Sequence, residues 1–114
     1  MDAPPKNRLC RLDDIEDGGS QRFTAEVGGE RKALLAVRRG ADVYVYENSC
    51  PHVGAPLDFL PGRFLNAEGT LIQCANHGAL FRIEDGHCVA GPCAGDGLKP
   101  VDISVEGEIV FITG

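Results

Sequence analysis

The chain of 114 residues contains no Trp, and its aromatic side chains are limited to 2 Tyr and 5 Phe. A core must therefore rest on Val, Leu, Ile and Ala. Long apolar runs are also missing. The longest near the N-terminus, Ala33-Leu34-Leu35-Ala36-Val37, is far too short to cross a bilayer. Met1-Asp2-Ala3-Pro4-Pro5-Lys6 has no apolar h-region, so no secretory signal is expected and the cytoplasm is the expected location. Basic residues are outnumbered, 11 against 17 acidic, giving a net charge of −6. That excess disfavours nucleic acid and anionic membrane surfaces as partners. The densest acidic run, Asp13, Asp14, Glu16 and Asp17, reads as a solvated loop rather than a docking patch. No internal repeat, Gly-rich phosphate loop or nucleophile–base pair is visible, and nothing points to a nicotinamide or flavin site.

Glycine and proline, by contrast, are plentiful, at 15 and 7. Such a turn-rich chain suits an all-β fold better than a helical bundle. Short β-type runs alternate with turn signals over Arg8–Leu12, Arg22–Val27, Lys32–Arg38 and Val43–Glu47, then Thr70–Gln73, Ala79–Ile83, Val101–Val105 and Ile109–Thr113. Gly28-Gly29 and Gly40-Ala41-Asp42 are hairpin-like connections, and Glu106-Gly107-Glu108 joins the last two runs. Val43-Tyr44-Val45-Tyr46 places two Val on one strand face and two Tyr on the other. No helical period extends over ten residues. A short helix within Ala55–Leu65 is interrupted by Pro56, Pro61 and Gly62. Residues 1–7 read as a flexible end and 8–114 as one domain.

The cysteines carry the chemistry. Five is an odd count, which argues against a closed disulfide framework. Cys50-Pro51-His52 follows one expected strand and Cys74-Ala75-Asn76-His77 another. Two loops at the ends of neighbouring strands can converge, bringing two thiolates and two imidazoles to one metal. Zinc sites mostly use Cys-x2–4-Cys and His-x3–5-His spacings. Cys-x-His followed by Cys-x-x-His is instead the pattern of a [2Fe–2S] centre in which two His replace two Cys on one iron. With two thiolates the oxidised core is neutral, and with four it is doubly negative. Neutral imidazole thus makes electron uptake easier. Segment Pro92–Pro100 is a third loop placed to cover the site.

The remaining candidates read blandly. His87 is an ordinary exposed histidine beside Gly86. Cys88 and Cys93 are buried or loop thiols without a ligand role. Cys10 is a strand residue, and Gly78 serves backbone geometry or a close approach.

Cys50-Pro51-His52-Val53-Gly54-Ala55-Pro56-Leu57 and Cys74-Ala75-Asn76-His77-Gly78-Ala79-Leu80-Phe81 resemble the two cluster-binding loops of Rieske-type ferredoxins. The likeness runs over about residues 8–113, with Gly86, Gly91-Pro92 and Leu98-Lys99 similar to the family's later turns. The resemblance implies three stacked antiparallel sheets with a two-loop cluster-binding subdomain at about 48–93. It also implies one [2Fe–2S] cluster, with Cys50 and Cys74 on one iron and His52 and His77 on the other. The implied function is one-electron transfer from a flavin-containing ferredoxin reductase to a terminal oxygenase, with no substrate turned over by the chain itself. Two other readings compete: a Rieske-like small subunit of a larger oxidoreductase such as nitrite reductase, and a zinc-stapled binding module.

Three departures from the family stand out. Ala55 and Asn76 occupy the places of the extra disulfide-forming cysteines of high-potential relatives. Ala79 and Phe81 stand where those relatives place Ser and Tyr hydroxyls. The 21 residues of 53–73 make a long spacer, whose excess is expected at Asp58–Gly69 as a surface excursion.

Overall fold

The computed structural model describes residues 7–49, 57–58, 62–74, 78–91 and 96–113. Among them are nine strands: β1 (Asn7–Arg11), β2 (Ser20–Val27), β3 (Glu30–Arg39), β4 (Asp42–Glu47), β5 (Leu71–Gln73), β6 (Leu80–Arg82), β7 (Cys88–Ala90), β8 (Ile103–Glu106) and β9 (Ile109–Ile112). They form three antiparallel sheets with strand orders β1-β9-β8, β2-β3-β4 and β5-β6-β7. The all-β expectation holds. The only helical element among the described residues is a 3-10 turn at Leu12–Asp14.

The β2-β3-β4 sheet is the middle layer, and its sequence says why. Ala33-Leu34-Leu35-Ala36-Val37 is too apolar for a strand with one wet face. Ala33 is exposed, and the residues from Leu34 to Val37 divide between two cores. Leu34 and Ala36 join Val43, Val45, Cys10, Ile15, Val110 and Ile112 on one side. Leu35 and Val37 join Tyr46, Leu57, Phe64, Ile72, Cys74 and Phe81 on the other. The alternation of β4 is resolved the same way, with Val43 and Val45 facing the first core and Tyr46 the second.

Turn chemistry fixes the register. Val27 pairs with Glu30, leaving Gly28 and Gly29 as a two-residue hairpin with φ of +60° and +86°. Both values lie in the left-handed region that a type I′ turn requires. The acidic residues Asp13, Asp14, Glu16 and Asp17 are exposed, as expected, but their segment is tied down. Arg38 donates from Nη1 to the Ile15 carbonyl at 3.0 Å, and Asp17 Oδ1 accepts the Gly40 N–H at 2.7 Å.

Several expectations need correction. Asn7 belongs to β1, opposite Ile112, rather than to a loose end, while residues 1–6 lie outside the described residues. Of the span considered for a short helix, residues 57–58 and 62–65 are not helical, and 55–56 and 59–61 lie outside the description. Asp58–Gly69 is not simply a surface excursion. Phe64 is fully buried in the second core, Leu65 bridges to Ile72, and Gln73 donates its N–H to the Phe64 carbonyl at 2.7 Å. The spacer thus returns as an added partner for β5. Val101 does not begin β8. Its N–H pairs with the Val45 carbonyl at 2.9 Å, and Glu47 donates to Lys99 at 2.9 Å. Segment 96–101 is therefore a strap along the free edge of β4, joined at its other end to β7 through Cys88 N–H to the Asp96 carbonyl at 2.9 Å.

Candidate metal centre

Of the four expected ligands, Cys74 is described, and Cys50, His52 and His77 lie outside the described residues. Cys74 follows β5, as expected, and is fully buried. It opens a tight turn onto β6. Its N–H donates to the Ala79 carbonyl at 2.8 Å, and its own carbonyl accepts the Gly78 N–H at 2.9 Å. Gly78 has φ +66°, and a Cβ there would meet nothing within 4 Å among the described residues. The left-handed backbone at 78 by itself calls for glycine there.

The flanks of all three candidate loops meet in one core. Leu57, closing segment 50–56, Cys74 and Ala79, bracketing 75–77, and Leu98, just beyond 92–95, belong to the same apolar cluster with Phe64, Phe81 and Tyr46. On the N-terminal side of the third segment, Gly91 (φ +103°) lies against the backbone of Ala79. The β6–β7 pairing carries a bulge, since Leu80 pairs with Ala90 but Phe81 with Cys88. The extra residue, Val89, is 47% exposed. Such a bulge re-aims the strand that leads into segment 92–95. Asn48 precedes Cys50 by two residues in the sequence, and its carboxamide Oδ1 accepts the Leu57 N–H at 2.8 Å.

A buried thiol among apolar side chains suits a soft metal. Thiolate is a soft ligand, and a metal there would supply the positive charge that balances it. The donor chemistry at Cys74 thus fits an iron–sulfur centre. No cluster of three or more His, Cys, Asp or Glu is found among the described residues alone. His87, Cys88 and Cys10 are placed as expected. His87 is exposed, with its backbone N–H bound by Asp85 at 2.9 Å. Cys88 is buried, its thiol donating to the Ala90 carbonyl at 3.2 Å. Cys10 is buried in the far core. Cys93 lies outside the described residues.

Asn48, Asp58 and Arg22 are the residues that sequence reading passed over. A single Asn after a strand is common, and only the fold reveals it as a buried polar residue, 5% exposed.

The family model for the Rieske [2Fe–2S] domain matches residues 6–105. The chain belongs to the Rieske [2Fe–2S] family. This Rieske domain carries one [2Fe–2S] cluster as its cofactor, the role that the Cys74 turn fits. It is 32% identical over 88 residues to cholesterol 7-desaturase of Caenorhabditis elegans, covering 77% of this chain but only 20% of that protein. The chain thus spans about a fifth of the length of that relative. It is 27% identical over 104 residues to the ferredoxin component of the p-cumate 2,3-dioxygenase system of Pseudomonas putida, covering 91% of this chain and 81% of that one. Among solved structures, the ferredoxin of carbazole 1,9a-dioxygenase from Nocardioides aromaticivorans IC177 superimposes with a TM-score of 0.75 at 27% identity, covering 96% of this Rieske chain and 98% of its own. The three-sheet architecture is therefore the Rieske fold. No helix among the described residues is long and apolar enough to cross a membrane.

Proposed function

We propose that this Rieske protein is a one-electron carrier that accepts electrons from a flavin-containing ferredoxin reductase and delivers them to a terminal oxygenase, in the cytoplasm. The observation that carries the reading is full-length similarity to ferredoxin components of dioxygenase systems, which covers most of both chains. The desaturase relative is matched over only 20% of its length, so it supports the domain and not the activity.

Cys50 and Cys74 would hold one iron and His52 and His77 the other, within a subdomain of about 48–93. When bound, the cluster supplies reversible one-electron transfer at a potential raised by its two neutral imidazoles. The chain's own contribution is placement and exclusion of water. The Ala79 carbonyl and Gly78 N–H lock the turn that presents Cys74. Phe64, Phe81 and Leu57, all fully buried, form an apolar floor that lowers the local dielectric. The excess of acidic residues favours partners with basic docking surfaces.

The test is spectroscopic. The purified protein should be red-brown, contain about two irons and give a low-average-g EPR signal after dithionite reduction. Its reduced form should then be reoxidised by a Rieske oxygenase and not by oxygen-free buffer. A colourless protein with one zinc and no signal after reconstitution would sink the carrier reading. Elution only as part of a large native complex would point to a fixed subunit instead.

A further inference from the structure

Asn48 is 5% exposed and sits immediately beyond β4. Its backbone N–H continues the β3–β4 ladder, donating to the Ala33 carbonyl at 2.9 Å. Its side chain reaches nine residues ahead. Oδ1 accepts the Leu57 N–H at 2.8 Å, and Nδ2 donates to Asp58 Oδ1 at 3.2 Å. The amide can face only one way, because a backbone N–H only donates and a carboxylate only accepts.

The chain of contacts continues. The Asp58 side chain is 4% exposed, and its Oδ2 accepts the Gly62 N–H at 3.2 Å and faces Arg22 Nη1 of β2 at 3.5 Å. Ser20 Oγ, also on β2, donates to the Gly62 carbonyl at 2.8 Å and accepts the Phe64 N–H at 3.3 Å. No buried side-chain N or O among the described residues lacks a partner, so this polar network is closed.

We infer that Asn48 is the positioning residue of the first cluster loop: it joins the two ends of segment 49–56, which carries Cys50 and His52, and through Asp58 fastens them to β2. The inference rests on the carrier reading for the identity of the ligands. Its physical basis is that a ligand pair on a tethered loop loses less entropy on binding and is held in one geometry. An amide is required, since the position needs an acceptor and a donor on one short side chain. Asp at 48 would keep the acceptor but set a second carboxylate against Asp58.

The test uses the cluster-loaded protein. In the wild type, hydrogen exchange of a peptide spanning residue 57 should be slowed at least ~10-fold by its buried hydrogen bond. Asn48→Asp should release iron to a chelator at least ~10-fold faster than wild type and change the EPR line shape, a readout that a purely structural role would leave alone. Asp58→Asn introduced into that variant restores a donor opposite the new carboxylate. It should bring release back to within about threefold of wild type, as a coupled pair requires. Arg22→Gln, at the exposed end, should change release less than about twofold. Release by Asn48→Asp at the wild-type rate would overturn the inference, as would unprotected Leu57 in wild-type protein should the variant fail to fold. A wild type that holds zinc instead of iron would overturn the carrier reading, and Leu57 exchange would still judge the tether.

Discussion

Gly91 packs directly on the backbone of Ala79: a Cβ built on Gly91 would lie 2.7 Å from the Ala79 Cα and 3.3 Å from its nitrogen. Ala79 is the residue whose carbonyl holds the Cys74 N–H. The contact thus couples the entry to segment 92–95 to the turn that presents Cys74.

Gly91→Ala should therefore be costly in two ways. It forces a side chain into φ +103° and pushes on backbone that cannot give cheaply. A loss of about 2–4 kcal/mol is expected, together with lower cluster content. Gly107→Ala is the matched control. Its φ of +62° carries strain alone, with nothing within 4 Å of the new methyl among the described residues, so about 1 kcal/mol is expected. Urea unfolding midpoints of the two variants, with iron per chain, make the check. Equal costs would show that the Ala79 contact is soft.

Phe64→Ala should destabilise by about 3–5 kcal/mol, because the ring is fully buried beneath the loop flanks. An urea midpoint shifted by less than about 1 kcal/mol would mean that residues 62–66 are a dispensable surface insertion, as the sequence alone suggested.

Phe64 also illustrates where sequence reading stops. The hairpins at Gly28-Gly29 and Glu106-Gly107-Glu108 were legible because two consecutive residues dictate a turn locally. The double-sided burial of β3 was latent in its unbroken apolar run. The place of Cys74 just after β5 was legible from the β-type run that precedes it. What escaped depends on contacts between distant segments. β7 is three residues long with a bulge, and segment 96–101 pairs with β4 through isolated bonds, so neither has a period to detect. Asn48 looks like any polar residue after a strand until Leu57 is brought back to meet it.

Ala79 and Phe81 are both fully buried, and neither has a hydroxyl to offer. Hydrogen bonds to cluster and ligand sulfurs stabilise the reduced state and raise the potential. Without donors from these two positions, the midpoint should lie near the low end of the Rieske range, about −150 mV. Protein-film voltammetry at neutral pH measures it directly. A value above about +100 mV would require other donors to have replaced them.

Cys10 makes the alkaline behaviour testable at a distance from the metal site. Burial, followed by the charge of Asp14, raises its thiol from 9.0 to about 11, against a smaller lowering by Arg8. The folded state thus holds this proton more tightly than the unfolded one. The resulting stability is fully present below pH 9 and is lost as pH rises through about 11. Discounted for partial solvent screening of the thiol, the linkage is worth roughly 2 kcal/mol across that window. Cys10→Ala removes the titration and costs about 1 kcal/mol of packing at neutral pH. The variant should therefore be less stable than wild type at pH 8 and no less stable above pH 11. Taking the difference between the two stability profiles cancels every other alkaline group, including the cluster ligands. Parallel profiles from pH 8 to 11.5 would show that the Cys10 thiol ionises without regard to the fold.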